Sequence, residues 1–232
     1  MIYSICDFLV EYEPRYPRLR DRSLKYLAKD QTLTADFAIE ITEEDIDNHL
    51  SKFPVTRDLA EYVLAGIRFY ETILDRGAFF LHSAALGVDG YGFAFTGPCG
   101  AGKSTHAGLW RRHFADEVIS INDDKPAVLI KDDKVYICGT PFSGKYDINT
   151  NVMLPLCGIS ILCQHPENKI EKVSVQEALP VLLEQTLRPK DPMRMLNLMT
   201  LMDEMLKRVP VYKLYCNISD EAVELSYSSM KP

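Results

Sequence analysis

Apolar residues recur with two different periods along the chain, and each period predicts a different element. In Leu59–Leu74 they recur every three or four positions, at Leu59, Val63, Ile67 and Tyr70. This spacing is typical of an amphipathic helix, which we expect to pack on the sheet that follows. In Phe79–Thr96 two apolar runs flank Asp89-Gly90, a dipeptide suited to the positive backbone angles of a two-residue turn. That stretch therefore predicts a β-hairpin.

The second half of the chain alternates short apolar strands with helices. Strands are predicted at Val118–Ile121, Ala127–Ile130, Val135–Cys138, Gly158–Cys163 and Val211–Asn217. Ser174-x-x-Glu177 has the form of a capping box and predicts a helix through about Leu187. A second helix is predicted from Pro192 to Arg208, because Pro210 cannot continue it. This alternation predicts an α/β core with a mixed sheet.

The first 55 residues have a different pattern from the rest. Short, broken alternations such as Phe37-Ala38-Ile39-Glu40-Ile41 suggest a small β-rich N-terminal subdomain over residues 1–55. Residues 56–232 then form the main core. The chain of 232 residues contains no internal repeat and no Gly/Ser linker, so we expect one compact unit.

Composition narrows the classes of partner. With 26 basic and 33 acidic residues the formal net charge is -7, which disfavours nucleic acid as a partner. No apolar stretch approaches the roughly 18 residues of a membrane span, and no signal-peptide pattern opens the chain, so we expect neither a membrane partner nor export. None of the six cysteines forms a C-x-x-C pair, which is typical of reduced thiols. We therefore expect a cytoplasmic protein.

One stretch carries a specific chemical signal. Residues 97–104, here called the P-loop segment, match G-x-x-x-x-G-K-[ST] in full, between an apolar strand and a predicted helix Lys103–His113. They read Gly97-Pro98-Cys99-Gly100-Ala101-Gly102-Lys103-Ser104, and Thr105 follows. The glycines let the backbone wrap around phosphate oxygens, Lys103 supplies charge to the β and γ phosphates, and Ser104 is the expected magnesium ligand. The segment predicts binding of a nucleoside triphosphate together with Mg²⁺.

Two adjacent aspartates end the next predicted strand. In P-loop proteins an acidic residue at the end of a neighbouring strand reaches the magnesium, and a second carboxylate can take a proton from an attacking hydroxyl. We assign the proton acceptor to Asp123 and the metal to Asp124, although the two roles are interchangeable at this stage. The alternative is a simple exposed turn, as in Asp132-Asp133.

Two further residues are candidates. If Asp89 and Gly90 are the central turn residues, the hairpin register places His82 opposite Gly97, so His82 would reach the site as a catalytic residue. Its alternative is a structural histidine. Lys145 lies in a Gly- and Pro-punctuated loop, from which it would close over the γ phosphate or bind the acceptor; otherwise it is a surface lysine.

His82-Ser83-Ala84, the P-loop segment with Thr105, and Asn122-Asp123-Asp124 together resemble the HPr kinase/phosphorylase family, over about Phe79 to Asp124. That family shares its P-loop core with ATP-dependent phosphoenolpyruvate carboxykinase. The resemblance implies this fold, ATP- and Mg²⁺-dependent phosphorylation of a serine-type hydroxyl, the first aspartate as base, and a homo-oligomer.

The chain also departs from that family. The downstream Arg-x-x-Gly-x-x-x-Asn signature of HPr kinases is absent, and Gly139–Lys145 stands there instead. The acceptor is therefore left open between a protein, a peptide and a small hydroxyl compound. Two other functions also remain: a nucleotide-binding accessory protein with little turnover, and an ATPase that transfers phosphate to water.

Overall fold

The structure, a computed structural model, describes residues 1–232. Residues 1–55 form a small sheet, in which β1 and β2 are antiparallel and β3 joins β2 in parallel, with two helices beside it. These elements are β1 (Ile2–Ile5), β2 (Phe8–Glu11), α1 (Pro17–Ser23), β3 (Phe37–Ala38) and α2 (Glu43–Leu50). The helices contain more residues than the strands, so the segment is mixed rather than β-rich. A capping box between Thr42 and Asp45 starts α2 and ends the extended stretch.

Nine strands form the second sheet, which is mixed and curled. They are β4 (Ala78–Phe80), β5 (Ser83–Val88), β6 (Tyr91–Thr96), β7 (Ile119–Asn122), β8 (Ala127–Lys131), β9 (Lys134–Cys138), β10 (Met153–Gln164), β11 (Lys169–Lys172) and β12 (Val211–Cys216). The long strand β10 runs antiparallel to β9 near its start and parallel to β6 and β12 farther along. The mixed α/β class predicted from the sequence is confirmed.

Five helices accompany this sheet. They are α3 (Arg57–Leu74), α4 (Lys103–Phe114), α5 (Val175–Glu184), α6 (Pro192–Arg208) and α7 (Asp220–Met230). The predicted bounds of α6 are confirmed. The predicted capping box of α5 is also present, but α5 ends before Leu187 because its last turn closes when the Gln185 N–H donates to Leu182. No helix is both long enough and apolar enough to cross a lipid bilayer.

The buried residues form three clusters around these elements. Helices α5 and α6 cover part of the large sheet, and α4 and α7 contribute to a separate cluster. The third cluster joins the N-terminal sheet to α3, to β8 and to Phe142 in the loop after β9. The core of residues 1–55 is thus continuous with that of the remainder, and α3 lies between the small sheet and the large one.

The β5–β6 hairpin has the predicted register. Ser83 pairs with Thr96 and Val88 with Tyr91. Asp89 and Gly90 have φ values of 52° and 80°, as a two-residue turn with positive backbone angles requires. This hairpin sets the end of β6, where the P-loop segment begins, directly beside the residue that precedes β5.

Candidate functional site

The P-loop segment connects β6 to α4. Gly97, Gly100 and Gly102 all have positive φ, at 142°, 80° and 99°. A Cβ atom at Gly100 or Gly102 would meet no other atom within 4 Å, so what the segment requires there is the backbone conformation and not the space. No side chain caps the first turn of α4. Its first N–H groups therefore point into the loop, as they do in anion-binding turns.

Lys103 reaches back over this loop. Its Nζ donates to the carbonyl oxygens of Gly97 at 2.8 Å and Pro98 at 3.2 Å. Burial lowers the pKa of Lys103, and the charges of Cys99 and Asp124 act in the opposite direction. The lysine is therefore within electrostatic reach of Asp124. Ser104 is exposed in the first turn of α4, as is Thr105 beside it.

Asn122 fixes the turn that carries the two aspartates. Its side chain is almost fully buried, and its Oδ1 accepts from the backbone N–H groups of Asp124 at 2.9 Å and Lys125 at 2.7 Å. Its Nδ2 donates to the carbonyl oxygens of Thr140 and Phe142, both at 3.1 Å. One amide thus joins the aspartate turn to the loop after β9. No catalytic or binding motif in the sequence predicts a role for Asn122.

Asp123 faces that same loop. Its Oδ1 accepts from the Gly144 N–H at 2.6 Å. Burial raises the pKa of Asp123, the Gly144 hydrogen bond opposes the rise, and the neighbouring charge of Asp124 adds to it. Asp123 is therefore a better proton acceptor at neutral pH than an ordinary surface aspartate.

Asp124 has the opposite character. Its Oδ1 lies 2.9 Å from His82 Nδ1, and its Oδ2 contacts Lys125 Nζ. Burial acts to raise the pKa of Asp124, but hydrogen bonds from His82 and Lys125 outweigh burial and hold the pKa well below its usual range. The two adjacent carboxyl groups are thus tuned in opposite directions, a pattern common at sites that transfer protons.

Arg22, on α1, was not found by sequence reasoning. Its guanidinium donates to the carbonyl oxygens of Ser143 and Gly144, both at 3.1 Å, and to the Tyr62 hydroxyl at 2.8 Å. The backbone of Gly144 therefore links Arg22 on one side to Asp123 on the other. No local pattern marks this arginine, because these partners lie between 40 and 122 residues away in the sequence.

Two cavities adjoin the residues of the site. Cavity A, of about 350 Å³, adjoins the aspartate turn and is lined by α3, α1 and the loop after β9. Its lining includes Asp124, Lys125, Gly144 and Lys145. Cavity B, of about 450 Å³, opens beside the P-loop segment. It is lined by Gly102, Thr105, His106, Gln164, His165 and Asn217 among others.

The structure brings most of the predicted site residues together. His82 contacts Asp124, Asp123 and Asp124 are adjacent, and Lys103 lies within electrostatic reach of Asp124. Lys145 is exposed and lines cavity A beside Gly144, with its Nζ 5.7 Å from the ring centre of Tyr146.

No group of three or more His, Cys, Asp or Glu side chains is arranged to hold a metal ion. Ser104 and Asp124 are oxygen donors of the kind that binds Mg²⁺ alongside phosphate oxygens and water.

Comparison with known proteins gives distant similarity to solved structures. No protein-family model matches the chain, and no curated protein does. Among solved structures it is similar to the Hpr(Ser) kinase/phosphatase from Coxiella burnetii, with 13% sequence identity and a TM-score of 0.31. The similarity covers 63% of this chain and 91% of that chain. It is too low to carry a functional conclusion, which therefore rests on the residues of the site.

Proposed function

We propose that this protein is an ATP- and Mg²⁺-dependent kinase that transfers the γ-phosphate to a serine-type hydroxyl of a protein, peptide or small molecule. One observation carries the proposal. A complete P-loop segment follows β6, whose last residue, Thr96, donates to the carbonyl oxygen of His82, and His82 contacts Asp124, next to Asp123. The pKa of Asp123 is raised, whereas His82 and Lys125 hold the pKa of Asp124 low. A loop that only binds nucleotide does not require two carboxyl groups whose pKa values are shifted in opposite directions.

The residues around the P-loop segment fit Mg-ATP. The glycine conformations and the uncapped start of α4 provide N–H donors for phosphate oxygens. Lys103 would exchange its two carbonyl partners for the β and γ phosphates, and Ser104 and Asp124 would hold Mg²⁺, which neutralises phosphate charge during transfer. Cavity B, beside Gly102 and Thr105, would take the nucleoside.

The reaction is a phosphoryl transfer with one proton to remove. The acceptor oxygen forms a bond to the γ-phosphorus while the bond from that phosphorus to the β–γ bridging oxygen breaks, and ADP leaves. Asp123 takes the hydroxyl proton, and its raised pKa suits it to this task. The Gly144 N–H orients its carboxylate, whereas His82 positions Asp124.

Cavity A favours this reaction over the two alternatives. A plain ATPase needs space for a water molecule beside the aspartates, and a nucleotide sensor needs none. The cavity of about 350 Å³ that adjoins Asp124 is at the lower end of the range for small-ligand sites, about 300 to 1,000 Å³. It supports transfer to a bound acceptor, and Lys145 at its edge would contact that acceptor.

Two measurements test the function. Calorimetry should detect Mg-ATP binding to the wild-type protein, and incubation with γ-labelled ATP, Mg²⁺ and host-cell extract should label a peptide, protein or small molecule. Absence of Mg-ATP binding would overturn the proposal. Binding without any labelled acceptor but with phosphate release would identify an ATPase, and binding without turnover would identify a sensor.

A further inference from the structure

The lining of cavity A is divided between a polar edge and an apolar wall. Asp124 and Lys125 stand at the edge next to the proposed proton acceptor, since Asp123 is hydrogen-bonded to Gly144, which lines the same cavity. The apolar wall is made by four separate parts of the chain. It comprises Leu59, Val63, Ile67, Phe80, Phe142 and Leu187. A group held at the edge would thus place its neighbouring group against aromatic and aliphatic side chains.

Exposure of the apolar wall to water is unfavourable in free energy, so a ligand that covers the wall is favoured. Leu59, Val63 and Phe80 are partly buried by the N-terminal core, while Ile67 keeps 36% of its surface exposed on the cavity side of α3. Burying an apolar group of aromatic or leucine size against this wall would favour binding by about 10- to 100-fold. Free serine or water would leave this wall exposed to solvent.

The charges around cavity A add a second constraint. Arg18, Arg22, Lys125 and Lys145 line the cavity, against the one carboxylate of Asp124. Arg18, Arg22 and Lys125 have carboxylate partners, and Lys145 makes no ion pair. The unpaired charge at cavity A is therefore that of Lys145, and a positively charged group on the acceptor beside it would be repelled. The occupant is therefore neutral or anionic.

We propose that cavity A is the acceptor site and that it selects a hydroxyl lying next to a bulky apolar, uncharged group, as in a seryl residue beside phenylalanine or leucine. This inference rests on the kinase function proposed above. The hydroxyl lies at the aspartate edge, and the apolar neighbour packs against α3, Phe80 and Phe142.

A panel of blocked serine peptides tests the selection. The probes are free serine and the N-acetylated amides of Ser-Phe, Phe-Ser, Ser-Leu, Ser-Gly and Ser-Lys, assayed with Mg-ATP for phosphoserine and for binding. One or more of the Phe and Leu peptides should exceed Ser-Gly by about 10- to 100-fold in kcat/KM, because burial of one large apolar side chain accounts for a factor of this size. Ser-Lys should be the poorest peptide. Equal rates across the panel, or neither transfer nor preferential binding with any of the apolar probes, would overturn the inference.

A matched pair of variants separates this site from the nucleotide site. Ile67→Trp fills part of cavity A and should lower kcat/KM for the preferred peptide at least tenfold, with unchanged Mg-ATP affinity. Ile119, 39% exposed on β7, lines neither cavity, so Ile119→Trp should leave both values unchanged. If Ile67→Trp fails to fold, Ile67→Gln should still reduce the Phe-over-Gly preference.

The two proposals fail in different ways. Loss of Mg-ATP binding in the wild-type protein rejects the kinase itself. Normal transfer to serine peptides with no effect of either Ile67 substitution rejects only the acceptor site.

Discussion

The imidazole Nδ1 of His82 lies 2.9 Å from a carboxylate oxygen of Asp124, across the gap between the β5–β6 hairpin and the aspartate turn. Hydrogen bonds to charged groups contribute about 1.5 to 3 kcal/mol. His82→Ala should therefore slow transfer by about 10- to 100-fold through the loss of that bond. The side chain is 35% exposed, so the melting temperature should change by a few degrees at most.

Initial rates at saturating Mg-ATP and thermal unfolding measure the two effects. His113→Ala is the control, since His113 is exposed on α4. A large drop in melting temperature with normal specific activity of the folded fraction would instead make His82 a structural residue.

Asp123→Asn should bind Mg-ATP normally and lose transfer, because the amide keeps the Gly144 hydrogen bond but cannot accept the proton. General-base catalysis supplies about 10² to 10⁴-fold, so the deficit should appear in kcat. Asp124→Asn should instead raise the Mg²⁺ concentration needed for activity. Asp132→Asn, in an exposed turn with φ 50°, is a suitable control because asparagine tolerates that conformation. A wild-type transfer rate in Asp123→Asn would reject the assignment.

Gly144→Ala tests the support of Asp123 from the other side. A Cβ atom at Gly144 would lie 2.8 Å from an Asp123 carboxylate oxygen, so the carboxylate must move. Transfer should fall at least tenfold, while Mg-ATP affinity stays within about twofold, since a misplacement of this size at the chemistry is costly. Gly108→Ala is the control, because a Cβ atom there meets nothing within 4 Å. Alanine at this position in α4 should raise the free energy of unfolding by about 0.5 to 1 kcal/mol. Unchanged kcat in Gly144→Ala would remove Asp123 from the mechanism.

Lys103→Ala should abolish detectable Mg-ATP binding without unfolding the protein. Its Nζ contacts loop carbonyl oxygens and contributes charge rather than core packing. Calorimetry and a melting curve measure the two effects, with Arg112→Ala on the exposed face of α4 as the control. Wild-type affinity in folded Lys103→Ala would refute the P-loop assignment.

His106 predicts a pH dependence of stability. It is buried behind the P-loop segment, its Nε2 accepts from Trp110, and its Nδ1 has no partner. Burial lowers the pKa of His106 from 6.5 to about 4. The unfolded chain therefore binds a proton that the folded protein excludes, so stability is full above pH 6.5 and declines as pH falls toward about 4.

Denaturant unfolding at pH 7.5 and pH 5 measures this effect. The pH-dependent loss attributable to His106 is on the order of 2 kcal/mol over that interval. His106→Asn should remove this part of the pH dependence, and His113→Asn should retain it because His113 is exposed. Equal pH dependence in wild type and His106→Asn would show that His106 titrates normally.

Short-range sequence patterns predict much of the fold and part of the candidate site. The turn at Asp89-Gly90 and the start of α5 each depend on residues within a few positions of one another, and the structure has the predicted backbone at both. Residues 97–104 connect a strand to a helix, as the sequence predicts. Asn122 also carried a local signal, because an asparagine at a strand end commonly accepts from the N–H two residues on.

The remainder depends on contacts between distant parts of the chain. Arg22 meets Gly144 across 122 positions, and cavity A is assembled from α1, α3 and the loop after β9. Neither periodicity nor motif spacing reports such contacts, because each reflects neighbours on one element. In residues 1–55 the weak alternation predicts strands and does not report the helices: α1 packs against α3, and α2 starts at the capping box Thr42-x-x-Asp45.

Helix α3 forms one wall of cavity A, and it shares no backbone with the strand, loop and helix of the P-loop segment. This separation makes the protein a practical scaffold for retargeting. A library confined to Leu59, Val63 and Ile67 would alter the surface presented to the acceptor while the phosphate-binding backbone stays intact. New acceptors could be selected by phosphate incorporation, and ATP affinity would serve as the fixed reference throughout the selection.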